Sequence, residues 1–452
     1  MKLLLFIFLF INFSHAANIK ERIENLKWKG LDVVYIGDER FPTFNIIVYF
    51  ADGALSDETK GETNAMFSLL EAGTKRYNRR DISDSLDYYG IKRGPTVTHE
   101  ISLYSISGLE KDLIPTMKKI CHLFDDSTFP KEEITKEITK AESELYNLVA
   151  EPSELANRAF RELSLSNTPF YYPVEGKLKD LKKINQTGLK KKLKYFNQEV
   201  KKKIFIAGPR QILGIQKIIN EECGWENQNN KPVRNSSFTP KNNGEGNQIY
   251  LVTVPSANQS QIRIGRYLKE SEIQNEELMA ISSGLLGGGF TSQLMIEVRQ
   301  KRGLTYGINS YASRQKNYGR AGIYSSTKNE SVAELLDVVK ETVEKVSKGD
   351  IQPSEIDRAK GYLVGGQYFR FENANAFLNQ LVFLDHFGKP YEDLFKFGER
   401  VQSFKNNQIL DEIGKIFAWN QQVIMVRMRR GCSRMRRRPS RQVNPAPLVM
   451  IC

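Results

Sequence analysis

The chain has 452 residues but only four histidines, at positions 15, 99, 122 and 386. Metal-assisted hydrolysis from a helix needs two imidazoles four residues apart on one face, with a carboxylate beside them to take a proton from bound water. No two of these histidines have that spacing. Two acids, Glu137 and Glu144, stand seven residues apart in KEITKAESELYNL. Solvated carboxylates on a helix face, with Lys140 beside Glu144, are the plainer account of them. The passage GLLGGGFTSQLMIEVRQKRGLTYGINSYAS, from Gly284 to Ser313, offers different chemistry. Its three consecutive glycines, Gly287, Gly288 and Gly289, free the backbone to approach another surface closely. Seven residues separate a cation near a helix end, Arg299, from a phenol at the start of a strand, Tyr306. Taken singly, Arg299 would offset a helix macrodipole and Tyr306 would be a half-buried aromatic. The glycine run fits neither the GxxxxGK[ST] phosphate loop nor the GxGxxG dinucleotide pattern.

The elements that must position these groups are written twice, with a period near 200 residues. In the first half, strand-like runs LDVVYIG and FNIIVYFADG precede a helical run from Gly61 to Leu70 and a strand pair through ISLYSISGL. Long helices and a closing strand, KKKIFIAG, follow. The second half runs from NQIYLVTVP and QIRIGRYL through a helical pair, two strands and further helices to QQVIMV. Between them, residues 226–247 are polar, rich in Asn, Pro and Gly, and read as an exposed linker. The expected class is α+β: two homologous domains, residues 17–225 and 248–426, each a mostly antiparallel sheet covered by helices.

KGETNAMFSLLEAGT resembles the first metal helix of the pitrilysin/insulinase family of zinc peptidases, the inverted-zincin fold, whose motif is His-x-x-Glu-His with a ligand Glu downstream. The resemblance puts the first His at Asn64, the base Glu at Phe67 and the second His at Ser68; Glu137 and Glu144 match the downstream acids, with Glu144 at the third ligand. An amide and a hydroxyl replace imidazole poorly toward zinc, and a phenyl ring accepts no proton. The expectation is therefore that this chain holds no metal. The resemblance continues through the Gly-rich segment. There the family's Arg and Tyr, here Arg299 and Tyr306, contact the substrate carbonyl and its oxyanion. Some members work as two unlike chains, one carrying the zinc motif and the other the Arg/Tyr pair. This implies a non-catalytic subunit, inactive alone, that acts on peptide or unfolded polypeptide with a related partner supplying zinc through His-x-x-Glu-His. The same fold also admits a non-enzymatic peptide-binding or scaffold protein.

Residues 1–16, MKLLLFIFLFINFSHA, have the layout of a secretory signal peptide. No later run approaches the roughly 20 apolar residues of a membrane helix, so export, with a bacterial periplasm as destination, is the expectation. Cys121 and Cys223 pair only if the compartment is oxidising, which their spacing leaves open. The net charge of +13 is concentrated in residues 427–452, which hold eight Arg and no acid. This tail is expected to be a disordered arm. The body carries no nucleic-acid recognition motif.

Overall fold

The computed structural model describes residues 23–166, 168–225, 248–253, 258–371, 373–428 and 448–450. The expected signal peptide and the linker at 226–247 lie outside the described residues. The chain divides into two compact units, each built on a six-stranded sheet.

In the first unit, β1 (Ile23–Trp28), β2 (Leu31–Gly37), β3 (Thr43–Phe50), β4 (Lys92–Val97), β5 (Ser102–Leu109) and β6 (Lys202–Gly208) lie in the order β1-β2-β6-β3-β5-β4. In the second, β7 (Gln248–Thr253), β8 (Gln259–Lys269), β9 (Ile308–Arg314), β10 (Tyr318–Lys328), β11 (Val423–Met428) and β12 (Leu448–Met450) lie in the order β12-β7-β11-β8-β10-β9. Strands β2 to β6 and β7 to β11 are thus permuted identically in space, which is the repeated plan in three dimensions. Across β2 to β6 and β7 to β11 the pairing is antiparallel except between the first and last strand of each set: β2 runs parallel to β6, and β7 parallel to β11. Leu448–Met450 adds parallel to β7 at the edge, so this part of the tail is a strand rather than a free arm.

The central strands read as almost unbroken apolar runs because both faces of each sheet are covered. On β3, Phe50 faces the helices Glu62–Ser68, Leu113–Asp126 and Gln186–Gln198 through contacts with Phe67, Phe124 and Phe196. Its neighbour Tyr49 faces the opposite way, toward His386. That second face is covered by the helix Ala374–His386, which comes from the far end of the sequence. Lys203 of β6 ties it down, bonding to Asp385 and, at 3.0 Å, to Tyr391. The second unit repeats the device. Ile262 and Ile264 of β8 and Ile424 and Val426 of β11 point into the main core. On the other face, Val423 and Met425 pack with Ala156 and Phe160 of the helix Pro152–Ser164. Arg263 of β8 anchors that helix, donating to Asn157 Oδ1 at 2.7 Å and to Ser153 Oγ at 2.9 Å.

The compact units therefore are not two contiguous stretches. Residues 139–173 belong to the second unit and residues 371–392 to the first. Among the described residues no helix is long and apolar enough to cross a membrane. Cys121 and Cys223 form a disulfide within the first unit.

Candidate functional site

The helix Glu62–Ser68 begins at Gly61, whose φ of 90° only glycine adopts readily. Its first amides are capped by a buried acid: Asp57 accepts from Gly61 N at 3.2 Å, Thr63 N at 3.1 Å and the Thr63 hydroxyl. Lys192 Nζ lies 3.1 Å from Asp57 and 4.0 Å from Glu62, so one ammonium serves two buried carboxylates. Burial raises the pKa of both acids against the pull of Lys192; for Glu62, the charges of Asp57 and Glu58 raise it further.

Phe67 is fully buried, its ring 5.5 Å from that of Phe50, 6.3 Å from Phe124 and 5.3 Å from Phe196. The position matched to a general base is thus a keystone of an aromatic core. Asn64 and Ser68 lie on the same helix and are half-buried. Glu137 and Glu144 both belong to the helix Lys131–Asn147. Glu144 has a side chain 66% exposed and pairs with Lys140 at 3.8 Å, as expected for a solvated carboxylate. Among the described residues no three His, Cys, Asp or Glu side chains gather so as to hold a metal ion. The residues at the matched positions do not fit zinc, because an amide and a hydroxyl stand where two imidazoles would be needed.

Gly287, Gly288, Gly289, Arg299 and Tyr306 all belong to the second unit. Gly287 ends the helix Glu276–Gly287 against β9; a Cβ there would lie 2.4 Å from Ser310 N, so this glycine serves close packing. Gly289, with φ of 155°, turns the chain in open space. The next five residues lead into a π-helical turn, Met295–Gln300, of the kind often found at functional sites. Arg299 is on that turn, its guanidinium 5.0 Å from the centroid of the Phe290 ring.

Tyr306 is 87% exposed, yet the backbone on both sides of it is tied down by buried hydroxyls. Thr305 Oγ1 donates to Ser326 O at 2.6 Å and accepts from Gly307 N at 3.1 Å. Ser325 Oγ donates to Gly307 O at 3.0 Å, and Thr327 Oγ1 to Leu304 O at 2.6 Å. These hydroxyls fix the backbone on either side of a phenol that stands out in solvent. Sequence reading missed them. Their signal is the run Ser325-Ser326-Thr327 in β10 opposite Thr305, but only strand pairing reveals it. Phe290, which Arg299 covers, was equally silent, although an aromatic directly after three glycines in an otherwise polar turn is a usable cue.

Two family models match the chain in succession. Residues 32–176 match "Insulinase (Peptidase family M16)", and residues 192–363 match "Peptidase M16 inactive domain". An uncharacterized zinc protease of Streptomyces coelicolor is 21% identical over 354 residues, covering 76% of this chain and 75% of that protein. A non-peptidase homolog of Helicobacter pylori is 23% identical over 391 residues, covering 84% of this chain and 87% of that one. The crystal structure of a peptidase M16 inactive domain from Pseudomonas fluorescens superposes with a TM-score of 0.78 at 19% identity, covering 90% of this chain and 98% of that one.

Proposed function

We infer, for a chain that belongs to the insulinase (pitrilysin) family of peptidases as a member without the family's zinc motif, that it is the exported, metal-free subunit of a heteromeric zinc peptidase. The reading rests on one contrast. The helix Glu62–Ser68 has given its base position, Phe67, to core packing, whereas the second unit carries Tyr306 in solvent and Arg299 on an exposed ring. An apparatus for the carbonyl oxygen persists without the apparatus for water.

In this reading a related partner carries His-x-x-Glu-His, and its zinc supplies the activated water. Tyr306 donates a hydrogen bond, and Arg299 a fixed charge, to the peptide oxygen as negative charge develops on it. The backbone that carries Tyr306 is set beforehand by the hydroxyl ties, and Arg299 rests against the Phe290 ring, which limits the reorganisation that accompanies the reaction. Unstructured polypeptide could pair with a free sheet edge, which gives length dependence with loose sequence preference. The Cys121–Cys223 disulfide supports an oxidising destination such as the periplasm, in agreement with the apolar N-terminal segment.

The test is co-purification from the source cell, followed by zinc analysis and peptide hydrolysis. The complex is expected to contain a His-x-x-Glu-His chain and to hydrolyse peptides; this chain alone is expected to retain no stoichiometric zinc. Arg299→Ala should lower turnover of the complex by about 10²–10³-fold, the usual loss for one such donor, with assembly intact. Chelator-sensitive hydrolysis by the purified single chain would overturn the proposal. Unchanged turnover in the Arg299 variant would favour a non-enzymatic peptide-binding or scaffold role.

A further inference from the structure

A concavity of about 340 Å³ lies in the second unit between the glycine turn and the helix Pro353–Tyr368. Its wall is largely apolar: Leu285, Gly288, Gly289 and Phe290 on one side, Ala359 and Tyr362 on the other. The turn is fixed by side chains from three directions. Gly289 O accepts from Ser292 Oγ at 2.6 Å, Phe290 O from Gln300 Nε2 at 2.8 Å, and Thr291 O from Arg358 Nη2 at 3.1 Å. Three successive carbonyls are thus held while the ring between them, Phe290, stays 69% exposed, and Tyr362 across the opening is 70% exposed. A preformed apolar hollow of this size with exposed aromatic walls is the usual form of a ligand pocket.

The charges around it narrow the occupant. Glu355 is already engaged, accepting from Gln293 Nε2 at 2.9 Å and from Gln352 N at 3.1 Å. Arg358 lies 3.7 Å from that same carboxylate. Arg299, over the Phe290 ring, has no carboxylate within ion-pairing distance among the described residues. An uncompensated guanidinium therefore lies beside one of the rings that line the apolar hole.

We propose that this pocket receives a bulky apolar side chain of a bound polypeptide, with an acidic residue next to it facing Arg299. The proposal deepens the reading of polypeptide as substrate and rests on it for the class of ligand. It accounts for Phe290, whose ring lines the pocket and also lies 5.0 Å from the Arg299 guanidinium.

The test uses the purified full chain without a partner and a ten-residue Gly/Ser/Thr peptide containing one 5-fluorotryptophan followed by Asp, titrated by fluorine NMR. Replacing the Trp with Ala is expected to weaken binding on the order of tenfold or more, the loss typical of an anchor residue. Replacing the Asp with Lys should weaken it several-fold, and Arg299→Gln should abolish that preference. Ala359→Phe fills the hollow and should remove binding, while Phe290→Ala takes away one wall and should weaken it. Phe290 is a surface side chain, so its variant keeps the pocket testable if Ala359→Phe misfolds. Equal affinity for the Trp and Ala peptides, or parental affinity in a folded Ala359→Phe chain, would overturn the proposal. Because no partner is present, failure of the heteromeric reading leaves this binding intact. A complex that needs Arg299 but tolerates a filled pocket would sink the pocket alone.

Discussion

Replacing Cys121 and Cys223 together with Ala should cost the first unit a large part of its stability. The two cysteines are 102 residues apart in sequence, and the bridge closes a loop running from the helix Leu113–Asp126 through β6. In the chain-entropy picture, a loop of about 100 residues removes roughly 16 cal/mol/K from the unfolded ensemble, or about 4.7 kcal/mol at 25 °C. A domain is typically stable by only about 5–15 kcal/mol, so the loss is decisive. Both sulfurs are buried, and alanine leaves no unpaired polar group behind. The assay is urea unfolding followed by tryptophan fluorescence in a Trp419→Phe background. That background leaves Trp28 and Trp225, both in the first unit, and Trp225 packs edge-on against Phe124 at 5.3 Å. With an m-value of about 3 kcal/mol/M, the midpoint should fall by roughly 1.5 M. The parent protein reduced with dithiothreitol should match the variant. A shift under about 0.3 M, or a reduced parent indistinguishable from the oxidised one, would refute the argument that this bridge constrains the unfolded chain.

Three further outcomes follow from the sites described. Phe67→Glu, which restores a carboxylate at the matched base position, should cost about 3–5 kcal/mol for the lost ring, and more for a carboxylate buried among Phe50, Phe124 and Phe196; circular dichroism should show an unfolded first unit. Glu62→Gln should raise the unfolding temperature at pH 7. Glu62 has a pKa raised above its ordinary 4.5 mainly by burial, so its contribution is present below about pH 4.5 and is lost as pH rises through the folded value. The advantage of the Gln variant should therefore vanish in melts at about pH 4, and an equal gain at both pH values would contradict this account. Thr305→Val removes the acceptor for Gly307 N, and hydrogen exchange at that amide should accelerate while exchange in the β8–β10 ladder stays unchanged.

The repeated plan was legible because strand and helix periodicities are local: β2 to β6 and β7 to β11 could be read one by one, and similar strings fold to one spatial order. Arg299 and Tyr306 were legible as a spacing. The exchange of covering helices was not, because Ala156 and Phe160 carry no mark saying that they pack on Val423 and Met425 rather than on the nearer sheet. What betrays a missing cover is the character of the central strands. TFNIIVYF and KKIFIAG are too apolar for sheets with one wet face, so a second layer had to come from somewhere. The disulfide was hidden for a related reason: two buried cysteines a hundred residues apart pair only once the helix ending at Asp126 and the π-helical turn Ile219–Cys223 have packed. The hydroxyl ties around Tyr306 depend on the β9–β10 register, which sets Ser325 opposite Ile308.

The two halves have settled their polar residues in opposite ways, and the difference bears on function. In the first unit, the polar side chains around the helix Glu62–Ser68 turn inward on structural tasks: Asp57 and Thr63 cap it, and Lys192 balances the acids. None of these interactions presents a group to a ligand. In the second unit, Thr305, Ser325 and Thr327 are buried as well, but what they fix is the backbone of a loop whose one large side chain points away from the core. Buried hydroxyl bonds contribute only about 1 kcal/mol each to net stability. Their distinctive effect is positional. A phenol on a loose loop samples many places; bracing the backbone on both sides of Tyr306 narrows the region its phenol can reach.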